Sequence, residues 1–547
     1  MDITINLGDL PTALHQSGLA GLYLVLSKLQ QFNGQLFNWK LEKDSVILQG
    51  KCSDQEALEW LLNHTYQLDN EGLIKIPILG HLTRDERVNF HQGMTGVLIA
   101  HPLVVKSTRG IVTATVEIDG KVLEFKYKAL DYYPHQDLSS LKAFDKKGSF
   151  KPSIKIAGWL YPGGSELHVA LSGKTKLEES PEGLITLAFA PIVCSYYKIR
   201  SRLKQDKYLW ALVIPEVEDL ELFTQTKLEA GSQTVRFDDY YASGISDASL
   251  RELSRLAGEK AIGSLTVKAC EVWAFGSRPW SKQIVITAKQ RVEINSNLRK
   301  LYWICNRYLK GGIKVGKNGT FVSVSFGREL ATESLTKGQP WYADLYPVLS
   351  LSSDYYDALL YERSLLQEMK EVTIENGYVS PNATLFCDGI TWIYKQLCYQ
   401  AFSSTSGKPN YDRVRQDLQM SIRSVKTKEQ FVRWLTELVS KPANRNNPFW
   451  QEIDLGEFHQ WAVKNWQECL SLAALAVLTY KNPWKVERTR NILLAKDLTP
   501  PKDEQKFQLS ESENNLEESD NLTAEDSDKD YEDEDLTQVA PISTEIS

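Results

Sequence analysis

Near residue 345 the periodicity of this chain changes, and that change limits its fold more than any other feature. Upstream, short runs alternate apolar and polar residues with period two. Downstream, alternation stops and apolar residues recur every three to four positions. The chain of 547 residues therefore reads as α+β: a mixed α/β N-terminal body followed by a C-terminal α-helical bundle and a disordered acidic tail. The expected divisions are 1–345 for the body, with a possible subdomain boundary near 135–150, then 346–497 for the bundle and 498–547 for the tail.

Within the body, residues 1–50 read as strand, helix, strand, strand. Leu19, Leu22, Leu26 and Leu29 set the helical spacing. Ser53 and Glu56 form a capping box that opens a helix at Glu56–Tyr66. Strands are expected at Leu73–Leu79, Val122–Leu130, Tyr208–Pro215, Leu265–Phe275, Gln283–Ile294 and Thr320–Phe326. Strict βαβ alternation is missing, so a doubly wound sheet is not favoured. The bundle's helices are expected at Asp354–Val372, Thr384–Phe402, Tyr411–Val425, Glu429–Ser440, Leu455–Tyr480 and Lys485–Lys496. Gly377, Pro381, Gly407-Lys408-Pro409, Pro442 and Asn482-Pro483 separate them.

Hydrophobic residues make up 42% of the chain and aromatics 10%, which excludes disorder of the whole chain. The longest strongly apolar run, Leu472–Leu478, is far shorter than the roughly 20 residues a membrane span needs, so no membrane partner is expected. The first 25 residues do not read as a secretory signal. Seven Cys without a CxxC pair argue against a zinc site or a disulfide framework and favour a reducing cytoplasm.

The formal net charge of −7 hides a split. Residues 501–547 carry 16 Asp/Glu against 3 Lys/Arg, which leaves residues 1–500 with 60 Lys/Arg and 54 Asp/Glu. The body is mildly basic, and such a surface permits nucleic-acid binding without demanding it. Three basic stretches stand out. In the first, Tyr196-Tyr197-Lys198-Ile199-Arg200-Ser201-Arg202-Leu203-Lys204, an extended backbone would set Lys198, Arg200, Arg202 and Lys204 on one face, with the tyrosines available for base stacking. The second holds Arg278, Trp280, Lys282, Lys289, Arg291, Arg299, Lys300, Arg307 and Lys310. The third lies in the bundle, where Arg423, Lys426, Lys428 and Arg433 belong to a Tyr411–Lys496 region of net +5. For these stretches a phosphate-contacting face and a solvated, charge-protected edge both remain open. The bundle's Trp434, Trp450, Trp461, Trp466 and Trp484 read as core rather than as stacking platforms.

Catalytic signatures are weak. Gly311–Asn318 imitates a phosphate-binding loop, but Asn318 stands where Ser/Thr would hold magnesium. The Asn318-Gly319 pair and the alternation after it predict a β-hairpin instead. His81, Asp85, Glu86 and His91 are the tightest His/carboxylate cluster, and surface or capping roles fit them better than a metal site. No cofactor or metal is expected, and an enzyme is not.

Three stretches carry a family resemblance: LGDLPTALHQSGLAGLYLVL (7–26), WLYPGGSELHVALSGKTKLEESPEGLITLAFAPIVCSYYKIRSR (159–202) and GSLTVKACEVWAFGSRPWSKQ (263–283). Their order and spacing resemble the large subunit of type I CRISPR Cascade complexes, in the MYXAN, or subtype I-B, group. The resemblance covers roughly residues 1–490. It implies a non-catalytic subunit at the 5′-handle end of a guide RNA (crRNA), which recognises the motif beside a double-stranded DNA target and helps open the duplex. The implied partners are backbone and handle-binding subunits, plus a separate helicase–nuclease or transposition proteins. In that family the small subunit is often made by internal initiation. Met420 would start a product of 128 residues here, and Met369 is the rival start. The alternatives are a generic RNA- or single-strand-binding ribonucleoprotein subunit, or a metal-dependent nuclease built on His81, Asp85 and His91.

Overall fold

The computed structural model describes residues 1–80, 82–99, 107–162, 177–204, 207–231, 235–256, 266–277, 284–316, 319–403, 411–440, 447–448 and 455–480. The expected tail, and the expected helix Lys485–Lys496, lie outside the described residues.

The chain opens with strand Asp2–Asn6, which pairs antiparallel with Ser45–Gln49, itself paired with Asn38–Leu41. Between them, helix Ala13–Lys28 is buried on nearly all sides. Two glycines make that burial possible. A Cβ on Gly18 would sit 1.9 Å from the Thr186 carbonyl oxygen, and one on Gly21 would sit 2.2 Å from that of Phe189. Glycine costs about 1 kcal/mol in a helix interior relative to alanine, but here it lets helix Pro181–Phe189 press against the backbone. Two of the stretches that carry the resemblance are thus one packing unit. The capping box at Ser53 and Glu56 opens helix Asp54–Thr65.

The main sheet has five strands in the order Tyr241–Ala242, Ser195–Ile199, Trp210–Pro215, Ala269–Ser277, Ile284–Glu293. All neighbours are antiparallel except the first pair, in agreement with the missing βαβ rhythm. Ile284–Glu293 is an edge strand. Leu73–Leu79 is strand only at Ile74–Lys75, because Pro77 directs the chain into a short 3₁₀ turn.

Helix Ile245–Leu256 lies over this sheet and carries a buried ionic network. Asp247 is fully buried and accepts hydrogen bonds from Ser243 N–H (2.9 Å) and Tyr302 Oη (2.9 Å). Its carboxylate faces Arg328 at 3.0 Å and Arg251 at 3.6 Å. Burial works to raise the Asp247 pKa, but the two guanidiniums overcome it and hold the carboxyl below its ordinary range. The network ties helix Ser296–Tyr308, through Tyr302, and helix Phe326–Thr336, through Arg328, to the sheet.

A smaller apolar cluster joins hairpin Ile111–Ile118/Lys121–Lys128 to hairpin Gly312–Gly316/Gly319–Ser323, the hairpin expected from Asn318-Gly319. Lys121 Nζ donates to the Ile313 carbonyl at 2.7 Å. From Leu345 onward the described elements are all helices, as expected. The expected Asp354–Val372 is broken into Ser353–Tyr361 and Arg363–Glu375, and at the break the Glu362 carboxylate accepts from Ser325 Oγ, Phe326 N–H and Gly327 N–H. Pro381–Ser403, Tyr411–Ser424 and Lys428–Ser440 follow. Leu455–Tyr480 is likewise two helices, Leu455–Lys464 and Trp466–Thr479, with a break at Asn465. Every residue from Cys469 to Thr479 is buried, chiefly against Pro381–Ser403. Trp434 is core, as its helical spacing implies, and its Nε1 donates to Ser421 Oγ at 3.2 Å.

Candidate nucleic-acid interface

The first basic stretch does not stay extended. Its strand ends at Ile199, and Arg200 N–H still pairs with the Ala242 carbonyl. Ser201–Lys204 then turns, with Ser201 Oγ accepting from Lys204 N–H at 2.8 Å. The expected single face through Lys204 is therefore lost after Arg200. Lys198 and Arg200 are half-buried, whereas Arg202 and Lys204 are exposed. Lys198 Nζ lies 5.6 Å from the Tyr241 ring. The tyrosines are not open to a stacking base: Tyr196 and Tyr197 are buried, with their hydroxyls on Met94 Sδ (3.1 Å) and Glu252 (2.9 Å).

Glu329, which sequence reading passed over, holds the turn. Its carboxylate accepts from Ser201 Oγ, from Arg202 N–H at 2.9 Å and from Leu203 N–H at 3.4 Å. Burial pushes its pKa up to about 8, against the lowering effect of these donors. The backbone is thus fixed from below while Arg202 and Lys204 point to solvent, Arg202 lying 5.9 Å from the Phe326 ring.

In the second stretch, Arg278, Trp280 and Lys282 lie outside the described residues. On the edge strand, Arg291 is bridged by Glu216 at 2.5 Å and 2.8 Å and also paired with Glu293. Lys289 Nζ sits 3.8 Å from the buried Trp273 ring. The next helix, Ser296–Tyr308, is different. Arg299 is half-buried, but Lys300, Trp303 and Arg307 are exposed. Among the described residues neither Lys300 nor Arg307 has a carboxylate partner. An acid-free run sets this part of the second stretch apart in the sequence. Between Glu293 and Glu329 the chain has no Asp or Glu and seven Lys/Arg.

In the bundle, Lys426, Lys428 and Arg433 are exposed around the turn between Tyr411–Ser424 and Lys428–Ser440, while Arg423 is half-buried. Lys426 Nζ is 5.9 Å from the Tyr346 ring, whose hydroxyl donates to the Val425 carbonyl. The three stretches therefore reduce to three cationic surfaces: the Arg202/Lys204 turn, the Lys300/Arg307 helix face and the Lys426/Lys428/Arg433 turn.

Two members of the histidine cluster, His91 and Glu86, take structural roles. Ile74 N–H donates to His91 Nδ1 at 3.2 Å, so Nε2 carries the proton and donates to the Lys128 carbonyl at 2.9 Å. Burial pushes this ring down to about 4, which keeps it neutral. Glu86 caps its own helix by accepting from Thr83 N–H at 2.7 Å. His81 lies outside the described residues. Among the described residues no group of three or more His, Cys, Asp or Glu is placed to hold a metal ion, and no helix is long and apolar enough to cross a membrane.

The chain has a family likeness in its N-terminal part and a distant likeness to a known protein over more of its length. The family described as the DevT N-terminal domain matches residues 7–188. A protein named CRISPR-associated protein Cas8a1/Csx13, from Myxococcus xanthus (strain DK1622), is 23% identical over 409 residues. That alignment covers 69% of this chain and 68% of the relative. These likenesses support a Cas8-type large CRISPR subunit. The part that resembles the DevT N-terminal domain contains helix Ala13–Lys28 and nearly all of helix Pro181–Phe189.

Proposed function

We propose that this chain is the large subunit of a type I CRISPR RNA-guided surveillance complex of the MYXAN, or subtype I-B, group. In this reading it recognises the target-adjacent motif in duplex DNA, contacts the guide RNA and supports R-loop formation in the cytoplasm. It does not cut DNA itself; a helicase–nuclease or transposition proteins act on the opened target. The observation that carries the reading is the likeness to Cas8a1/Csx13 across 409 residues. The exposed cations add to it, because a subunit that lets base pairing read sequence needs phosphate contacts and shape more than base-edge contacts.

The deciding experiment purifies the tagged chain together with the subunits encoded beside it and sequences the bound RNA. One discrete class with a common 5′ handle is expected. A random RNA population would favour a generic ribonucleoprotein subunit. Metal-dependent cleavage that is lost in His81→Ala would favour a nuclease.

The small subunit is the finer part of the proposal. Met420 is 61% exposed on helix Tyr411–Ser424, and a product starting there keeps Lys426, Lys428 and Arg433. It would lose Pro381–Ser403, the helix against which the buried Cys469–Thr479 part of Trp466–Thr479 packs. A product starting at Met369 keeps that pair, so packing favours the longer fragment. A C-terminally tagged gene should yield a second, short band, and Met369→Leu or Met420→Leu should remove it. A single band in the native host would reject both starts.

A further inference from the structure

Trp303 is 52% exposed, on a helix whose inner face buries Tyr302, Ile304 and Cys305. Lys300, Trp303 and Arg307 follow i, i+3, i+7 spacing and so share the outer face. The Arg307 guanidinium lies 5.2 Å from the Trp303 ring and 5.9 Å from the Tyr308 ring, which orders the indole while most of it stays in water. The surrounding run from residue 294 to residue 328 contains no acidic residue, so its charge complements a polyanion. About half of this indole is open to solvent, and among the described residues no carboxylate pairs with Lys300 or Arg307 beside it.

We propose that this face is a binding site for an unpaired nucleic-acid strand: one base stacks on Trp303, and the flanking phosphates meet Lys300 and Arg307. The inference rests on the reading of the chain as a nucleic-acid-binding subunit and adds the class of ligand, single strand rather than duplex. Stacking on an aromatic ring accepts any base, and it is possible only where the base is not already paired. A displaced DNA strand and an unpaired stretch of guide RNA offer the same chemistry.

The test measures binding of the full chain to oligothymidine, oligouridine and a DNA duplex, each roughly 20 nucleotides per strand. Trp303→Ala should weaken single-strand binding about tenfold, leave duplex binding unchanged and leave the salt slope unchanged, since no ion pair is lost. Trp303→Phe should restore most of the loss. Lys300→Ala and Arg307→Ala should each flatten the salt slope by about 0.7 on single strands. A larger loss on oligothymidine assigns the site to DNA, and a larger loss on oligouridine assigns it to RNA. If Trp303→Ala keeps its melting temperature and binds both oligomers like wild type, the site is wrong while the subunit reading stands. If the variant loses only its association with neighbouring subunits, the face is a protein interface and the proposal falls. Wild type that binds no nucleic acid and recovers no guide RNA would overturn both.

Discussion

Edge strand Ile284–Glu293 and helix Ser296–Tyr308 are consecutive in the chain and both basic, yet their charges meet different fates. On the strand, side chains two residues apart share a face, so Glu293 stands beside Arg291, and Glu216 closes on it from just past the end of Trp210–Pro215, the strand on the far side of Ala269–Ser277. On the helix, Trp303 lies between Lys300 and Arg307 on the outer face, and no carboxylate reaches either cation among the described residues. The lesson is that a run of cations becomes a candidate contact surface only where the fold withholds acidic partners.

A third setting, the interior, sharpens the contrast and carries the largest expected effect. Arg328→Ala should destabilise the chain by about 3–5 kcal/mol in urea melts, because Asp247 would remain buried with one of its cations gone. A loss under about 1 kcal/mol would mean that water or Arg251 replaces the pair and that the network does not hold the Lys300 helix in place.

Next comes the comparison itself. Lys300→Ala with Arg307→Ala should weaken nucleic-acid binding roughly tenfold at moderate salt. Arg291→Ala should leave binding unchanged and move stability by only about 0.5 kcal/mol, as expected for an exposed pair. Equal effects of the two changes on binding would erase the distinction between strand and helix.

The smallest effect is a pH profile. Burial raises Glu329 from 4.5 to about 8, so its contribution to stability is full below pH 4.5 and is lost as pH rises through about 8. Burial lowers His15 and His91 from 6.5 to about 4, and His135 to about 3. Their contribution is full above pH 6.5 and is lost as pH falls through about 4. The melting temperature should therefore decline on both sides of neutrality. Glu329→Gln should remove the alkaline decline and leave the acid one. Persistence of the alkaline decline in that variant would assign it to another group.

Local signals were legible because their partners lie close by in sequence. The Ser53–Glu56 cap, the Asn318-Gly319 hairpin and the helical spacing after residue 345 each need only a few neighbouring residues. The broken helices at Glu362 and Asn465 were not legible, and the donors that meet the Glu362 carboxylate lie 35 to 37 positions away. The basic stretches were legible as charge but not as surface. Ser201 meets Glu329 across 128 residues, and Arg291 meets Glu216 across 75. Sequence alone therefore determined the α+β order, the basic body and the family likeness, because composition and short-range periodicity survive in one dimension. Tertiary structure decided which tyrosines are buried, which carboxylate fixes the Arg202 turn and which cations lack a partner. Each of these depends on electrostatic and packing contacts between residues that only the folded chain brings within a few ångströms.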